Sequence, residues 1–133
     1  MILLSSLSTA SAADLSTYRW KHRLIVISTL PEQAATVAAS LKQERAGILD
    51  RDLVIIDLSL HRKRIAHTVR PAEESIEPLR KRFSLSAQTA QFVLIGKDGG
   101  VKARQAGTLD LQRYFTLIDA MPMRQEEMRR SRD

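Results

Sequence analysis

A three-layer α/β fold, with a mixed four-stranded sheet in the order β-α-β-α-β-β-α, is what this sequence predicts. Three observations carry it. Leu24-Ile25-Val26-Ile27 and Leu53-Val54-Ile55-Ile56 are continuous apolar runs rich in β-branched residues, the pattern of strands buried on both faces. An amphipathic stretch separates them, and strand–helix–strand with short loops favours parallel pairing and a right-handed crossover. Further along, Phe92-Val93-Leu94-Ile95 runs into Gly96-Lys97-Asp98-Gly99-Gly100 before a new strand leaves at Val101-Lys102. Asp-Gly between strand-like runs is a strong hairpin signal, because the turn needs positive φ.

The elements follow in order. After the first strand, Ser28 or Thr29 can cap a helix and Pro31 suits its first turn. Ala34, Val37, Ala38 and Leu41 recur at helical spacing and give it one apolar face, with Gly47 as its expected stop. The second strand opens a basic loop, His61-Arg62-Lys63-Arg64. Ser75 can cap a short helix with Ile76, Leu79 and Phe83 on one side, and Pro78 is tolerable there within the first turn. Beyond the hairpin, Thr108 can cap a last helix, with Asp110 in its first turn and Leu111, Phe115 and Ile118 as its buried stripe. Pro122 breaks or restarts that helix, and the charged end from Arg124 to Asp133 is expected to be a frayed helical tail. This is the order of the thioredoxin core, so the fold is expected to be thioredoxin-like.

At 133 residues the chain is one domain with one ordinary core, assigned here to residues 14–133. Its 44% hydrophobic and 27% charged residues are those of a globular protein. No apolar run approaches the ~20 residues that span a bilayer. Residues 1–13 end in Ala10-Ser11-Ala12, a small-x-small pattern of a signal-peptidase site, although no Lys or Arg precedes Arg19. The expectation is a truncated signal peptide, and hence a periplasmic or secreted protein.

The formal charge of +6 is concentrated. Residues 61–104 hold ten Lys and Arg against four Asp and Glu, so the rest of the chain is neutral in sum. A localised basic region favours an anionic partner. With aromatics at 5% there is no interleaved aromatic platform, which argues against nucleic acid. The expected partner is an anionic envelope component or an acidic protein, met by Arg62, Lys63, Arg64, Lys81 and Arg82.

The motifs that carry chemistry are mostly absent. Redox work in a thioredoxin-like fold sits where the first strand meets its helix, here Ser28-Thr29-Leu30-Pro31-Glu32-Gln33, and needs a thiolate. The sequence has no cysteine. No proline directly precedes the third strand, which is led by Gln88-Thr89-Ala90-Gln91. Gly96-Lys97 fails the phosphate-loop pattern, since Asp98 stands where Ser or Thr is needed. Met121, Met123 and Met128 form a thioether group of the kind that binds Cu(I), but core filling is the simpler expectation. His22, His61 and His67 show no ligand spacing, and the last two are expected in solvent. Asp57, ending the second strand, is the carboxylate best placed for chemistry in an open α/β sheet. A lone carboxylate is weak evidence, so capping or a salt bridge is its expected role. Trp20, between Arg19 and Lys21, is expected to anchor the N-terminal segment on the core. No cofactor or metal is assigned.

Several segments together resemble one family. They are Tyr18-Arg19-Trp20-Lys21-His22-Arg23, Arg51-Asp52-Leu53-Val54, Leu79-Arg80-Lys81-Arg82-Phe83, Val93-Leu94-Ile95-Gly96-Lys97-Asp98-Gly99-Gly100-Val101-Lys102 and Leu117-Ile118-Asp119-Ala120-Met121-Pro122-Met123-Arg124. Over roughly residues 14–128 the chain resembles a bacterial domain-of-unknown-function family of small, often exported proteins. Related domains occur in animal sushi-repeat-containing and other extracellular-matrix proteins. The resemblance implies a thioredoxin-like or peroxiredoxin-like fold, export, and binding rather than turnover. The functional expectation is therefore a non-redox binding module. Its alternative is a redox or metal-linked accessory enzyme that lost its thiol.

Overall fold

The computed structural model describes residues 15–132, so the expected signal segment lies outside the described residues. The strands are β1 (Arg23–Ser28), β2 (Leu53–Asp57), β3 (Gln91–Ile95) and β4 (Val101–Ala106). The helices are α1 (Ala34–Gln43), α2 (Arg45–Asp50), α3 (Glu73–Arg82), α4 (Leu111–Asp119) and α5 (Pro122–Arg132). The sheet order is β2-β1-β3-β4. β1 and β2 are parallel, with Ile25 opposite Ile55, and β3 is antiparallel to both of its neighbours.

Alternation along the strands divides the core into two layers of side chains. Ile25, Ile27, Ile55, Phe92 and Leu94 face α1, α2 and α4, meeting Val37, Leu41, Ile48, Phe115 and Ile118. Leu24, Val26, Ile56, Val93 and Ile95 face α3, meeting Ile76, Leu79 and Phe83. Tyr114 also joins the first layer, and its buried hydroxyl donates to the Phe92 carbonyl at 2.6 Å. The hairpin turn uses Gly99 at φ 87°, and Asp98 accepts from the Gly100 N–H at 2.9 Å while pairing with Lys102.

Local signals placed several caps wrongly. Thr29 is engaged elsewhere, and the first turn opens at Leu30, whose N–H donates to Gln33 Oε1. Asp110 rather than Thr108 caps α4, accepting from the Arg113 N–H at 3.1 Å. α3 begins at Glu73, which puts Ser75 inside the helix and Pro78 beyond its first turn. Gly47 lies within α2 and does not end a helix. The Trp20 ring is 59% exposed and anchors nothing by burial; its backbone, at φ 70°, donates to the Lys97 carbonyl.

Candidate functional site

The segment between β2 and α3, residues 58–72, crosses the C-terminal ends of β1 and β2. It then returns along the outer edge of β2, where Val69 exchanges hydrogen bonds with Ile55 and Asp57. Open α/β sheets bind ligands beyond these strand ends. Here the loop forms a cavity of about 630 Å³ lined by Asp57, His61, Arg62, Lys63, Arg64 and Arg70, among others. Arg62, Lys63 and Arg64 are exposed and make no ion pair among the described residues. Arg70 donates to the carbonyls of Asp57 and Ser59 and faces Glu73 at 3.8 Å.

A buried arginine adds to the positive potential at this end. Arg80, 4% exposed, donates to Ser28 Oγ at 2.8 Å, to the Leu58 carbonyl at 2.8 Å and to the Ser86 carbonyl at 3.1 Å. It ties the ends of β1 and β2 to the approach of β3. Burial lowers its pKa; the Glu77 charge opposes that and Arg70 adds to it.

Sequence spacing gave no sign of one cluster here. Thr29 Oγ1 lies 2.6 Å from His61 Nε2 and 3.0 Å from Ser59 Oγ. The geometry resembles a base beside a hydroxyl, but the hydrogen bonds decide otherwise. His61 Nδ1 accepts from the Lys63 N–H at 3.1 Å, so in the neutral ring Nε2 carries the proton and donates to Thr29. His61 is thus a donor that pins the loop, not a base for Thr29. It is also not in open solvent, as its sequence position had implied.

The other predicted residues lie elsewhere. Arg82 lines a separate cavity of about 550 Å³, with Tyr18, Arg19, Phe83, Gly96 and Gly99, and Lys81 is exposed on α3. The family-motif residues build an ion network at the opposite end of the sheet. Glu127 of α5 accepts from Arg23 at 3.0 and 3.1 Å and from Lys97 at 2.7 Å. Lys97 also reaches Asp52 at 2.9 Å. Arg124 bonds Asp119 and Asp50, and Arg51 holds the other oxygen of Asp119 at 2.9 Å. Arg23 is 1% and Lys97 8% exposed. Met121 packs partly against the core, while Met123 is exposed beside Pro122. The C-terminal segment is helical, as expected, but it is docked by these ion pairs and not frayed.

Comparison with known proteins agrees with this architecture. Residues 14–127 match the model of a family described as a domain of unknown function, DUF4174. The chain belongs to this family. No curated protein matches this chain. Among solved structures it is similar to the reduced 2-Cys peroxiredoxin of Plasmodium vivax, with a TM-score of 0.64 and 12% identity, covering 84% of each chain. It is also similar to the mitochondrial 2-Cys peroxiredoxin of Plasmodium falciparum, with a TM-score of 0.60 and 11% identity, covering 80% of this chain and 79% of that one. At such identity the likeness concerns the fold, which is thioredoxin-like.

The chemistry open to this DUF4174 domain is bounded by its residues. It has no thiol to oxidise. Among the described residues no three His, Asp or Glu side chains are grouped to hold a metal, and no helix is long and apolar enough to cross a membrane. What remains at the C-terminal strand ends is a cationic cavity with a carboxylate, Asp57, in its wall.

Proposed function

We propose that this DUF4174 domain is a non-redox binding module, exported to the cell envelope, that takes up an anionic group of a partner. The partner is an anionic envelope component or an acidic protein. One observation carries the reading: Arg62, Lys63 and Arg64 line a cavity of about 630 Å³ without ion pairs among the described residues. Three unpaired cations outnumber the carboxylates Asp57 and Glu73 in the same wall, and a concave surface of net positive charge raises the local concentration of anions. By contrast Arg23, Lys97, Lys102 and Arg124 are each matched to carboxylates and are spent on structure.

The test is retention of the full chain on immobilised dextran sulfate, eluted with a salt gradient. Replacing Arg62, Lys63 and Arg64 together by Ser should lower the eluting salt and flatten the salt dependence, because fewer counterions are displaced. The same three substitutions should leave thermal stability unchanged, since these side chains make no bonds that the fold uses. Equal retention of the two proteins would remove this surface from consideration.

A further inference from the structure

The cavity contains one feature that a purely anion-binding surface does not need. Asp57 is 5% exposed and lines the cavity. Its Oδ1 accepts from the Ser59 N–H at 2.9 Å. Its second oxygen has no hydrogen-bond or ion-pair partner among the described residues, and it is not sealed from solvent, since the fully buried side-chain polar atom without a partner among these residues is Ser75 Oγ. Arg70 does not pair with it: this side chain donates to the backbone carbonyl of Asp57 and turns its other nitrogen to Glu73. A carboxylate oxygen at a cavity wall accepts from water or from whatever donor replaces it. An acceptor left open at the wall of a cavity is a place for a donor on the ligand.

We propose that this cavity binds a hydroxyl-bearing oxyanion, a sugar or polyol carrying a phosphate or carboxylate. The anionic group lies against Arg62, Lys63 and Arg64, and a hydroxyl donates to Asp57. This rests on the anion-binding reading above and deepens it. Two arguments fix the class. The donor is neutral, because the cavity wall is cationic in sum, Arg62, Lys63, Arg64 and Arg70 outnumbering Asp57 and Glu73, and an ammonium would meet net repulsion. The ligand is larger than a bare phosphate or sulfate, because a volume of about 630 Å³ is in the range that holds a small organic molecule.

Calorimetric titration of the full chain with inorganic phosphate, glucose, glucose 6-phosphate and glucuronate tests it. Glucose 6-phosphate should bind on the order of tenfold more tightly than inorganic phosphate, the worth of one hydrogen bond to a charged acceptor. Glucose should bind more weakly than either, and glucuronate tells whether a carboxylate serves as well as a phosphate. Asp57→Asn keeps an oxygen for the Ser59 N–H and removes the open charge. It should abolish the preference for glucose 6-phosphate while leaving inorganic phosphate bound equally or more tightly, since a neighbouring negative charge is gone. Equal weakening of both ligands would make Asp57 a structural residue and overturn the inference. If that variant fails to fold, the wild-type comparison decides alone: no preference over inorganic phosphate overturns the hydroxyl contact and leaves the anion site standing. Failure of every anion to bind, with no change on replacing Arg62, Lys63 and Arg64 by Ser, would overturn the anion site itself.

Discussion

Gly47 shows how one residue can be misjudged from local sequence. A glycine after an amphipathic run looks like a helix stop, yet it sits inside α2, where a ring passes across it and leaves no room for a Cβ. A Cβ there would lie 2.8 Å from Phe115 Cε2 and 3.2 Å from Arg51 Nη1. The ring cannot yield easily, since Phe115 is buried in the core and the Arg51 guanidinium lies 4.2 Å from its centroid. Two effects compete on changing Gly47 to Ala. Helix propensity favours Ala by about 1 kcal/mol, and forcing a methyl into a packed contact costs about 1–3 kcal/mol. The contact should win, so Gly47→Ala lowers unfolding free energy by about 1 kcal/mol in urea titration. A variant as stable as the parent would mean that the ring moves aside.

α5 is held to the domain by charge more than by apolar burial. Its buried residue is Arg124, and its grip on the sheet is Glu127 between Arg23 and Lys97. Glu127→Gln leaves Arg23 buried without a carboxylate, and losing one partner of a largely buried pair costs about 3 kcal/mol. Hydrogen exchange should then quicken in residues 122–132 more than in β1; uniform quickening would show that α5 does not open on its own. This element was the least legible in the sequence. The strands and the hairpin could be read because their signals are local: unbroken apolar runs, and Asp98-Gly99 at the turn. The docking of α5 depends on Arg23 and Lys97, far away in sequence, so a highly charged segment looked like a solvated tail. The candidate site divides in the same way. Its cations Arg62, Lys63 and Arg64 could be read as a basic cluster. The bond from His61 to Thr29, the tie that Arg80 makes between Ser28 and Leu58 and the open oxygen of Asp57 exist only once β1 and β2 lie side by side.

The molecule as a whole separates two uses of positive charge along one sheet. At the C-terminal ends of β1 and β2 the cations are left open, whereas at the other end they are neutralised by Glu127, Asp119, Asp52 and Asp50. That second arrangement fixes how stability depends on pH. Burial pushes the Glu127 carboxyl up, but hydrogen bonds from Arg23 and Lys97 outweigh it and hold its pKa below the ordinary 4.5. Asp119 is held below the ordinary 3.8 in the same way, burial being outweighed by Arg51 and Arg124. Both groups are lowered on folding, so below these ordinary values the unfolded chain binds more protons than the native one and stability rises with pH. Their contribution is complete above 4.5 and is lost as pH falls through the lowered native values. Protonation also increases a net charge already at +6, which adds self-repulsion. The urea midpoint should therefore stay level from neutral pH down to about 4.5 and then fall. Glu127→Gln should begin from a lower midpoint and fall less, because one of the titrating carboxylates is gone. Parallel falls in the two proteins would assign the acid sensitivity to carboxylates outside the α5 network.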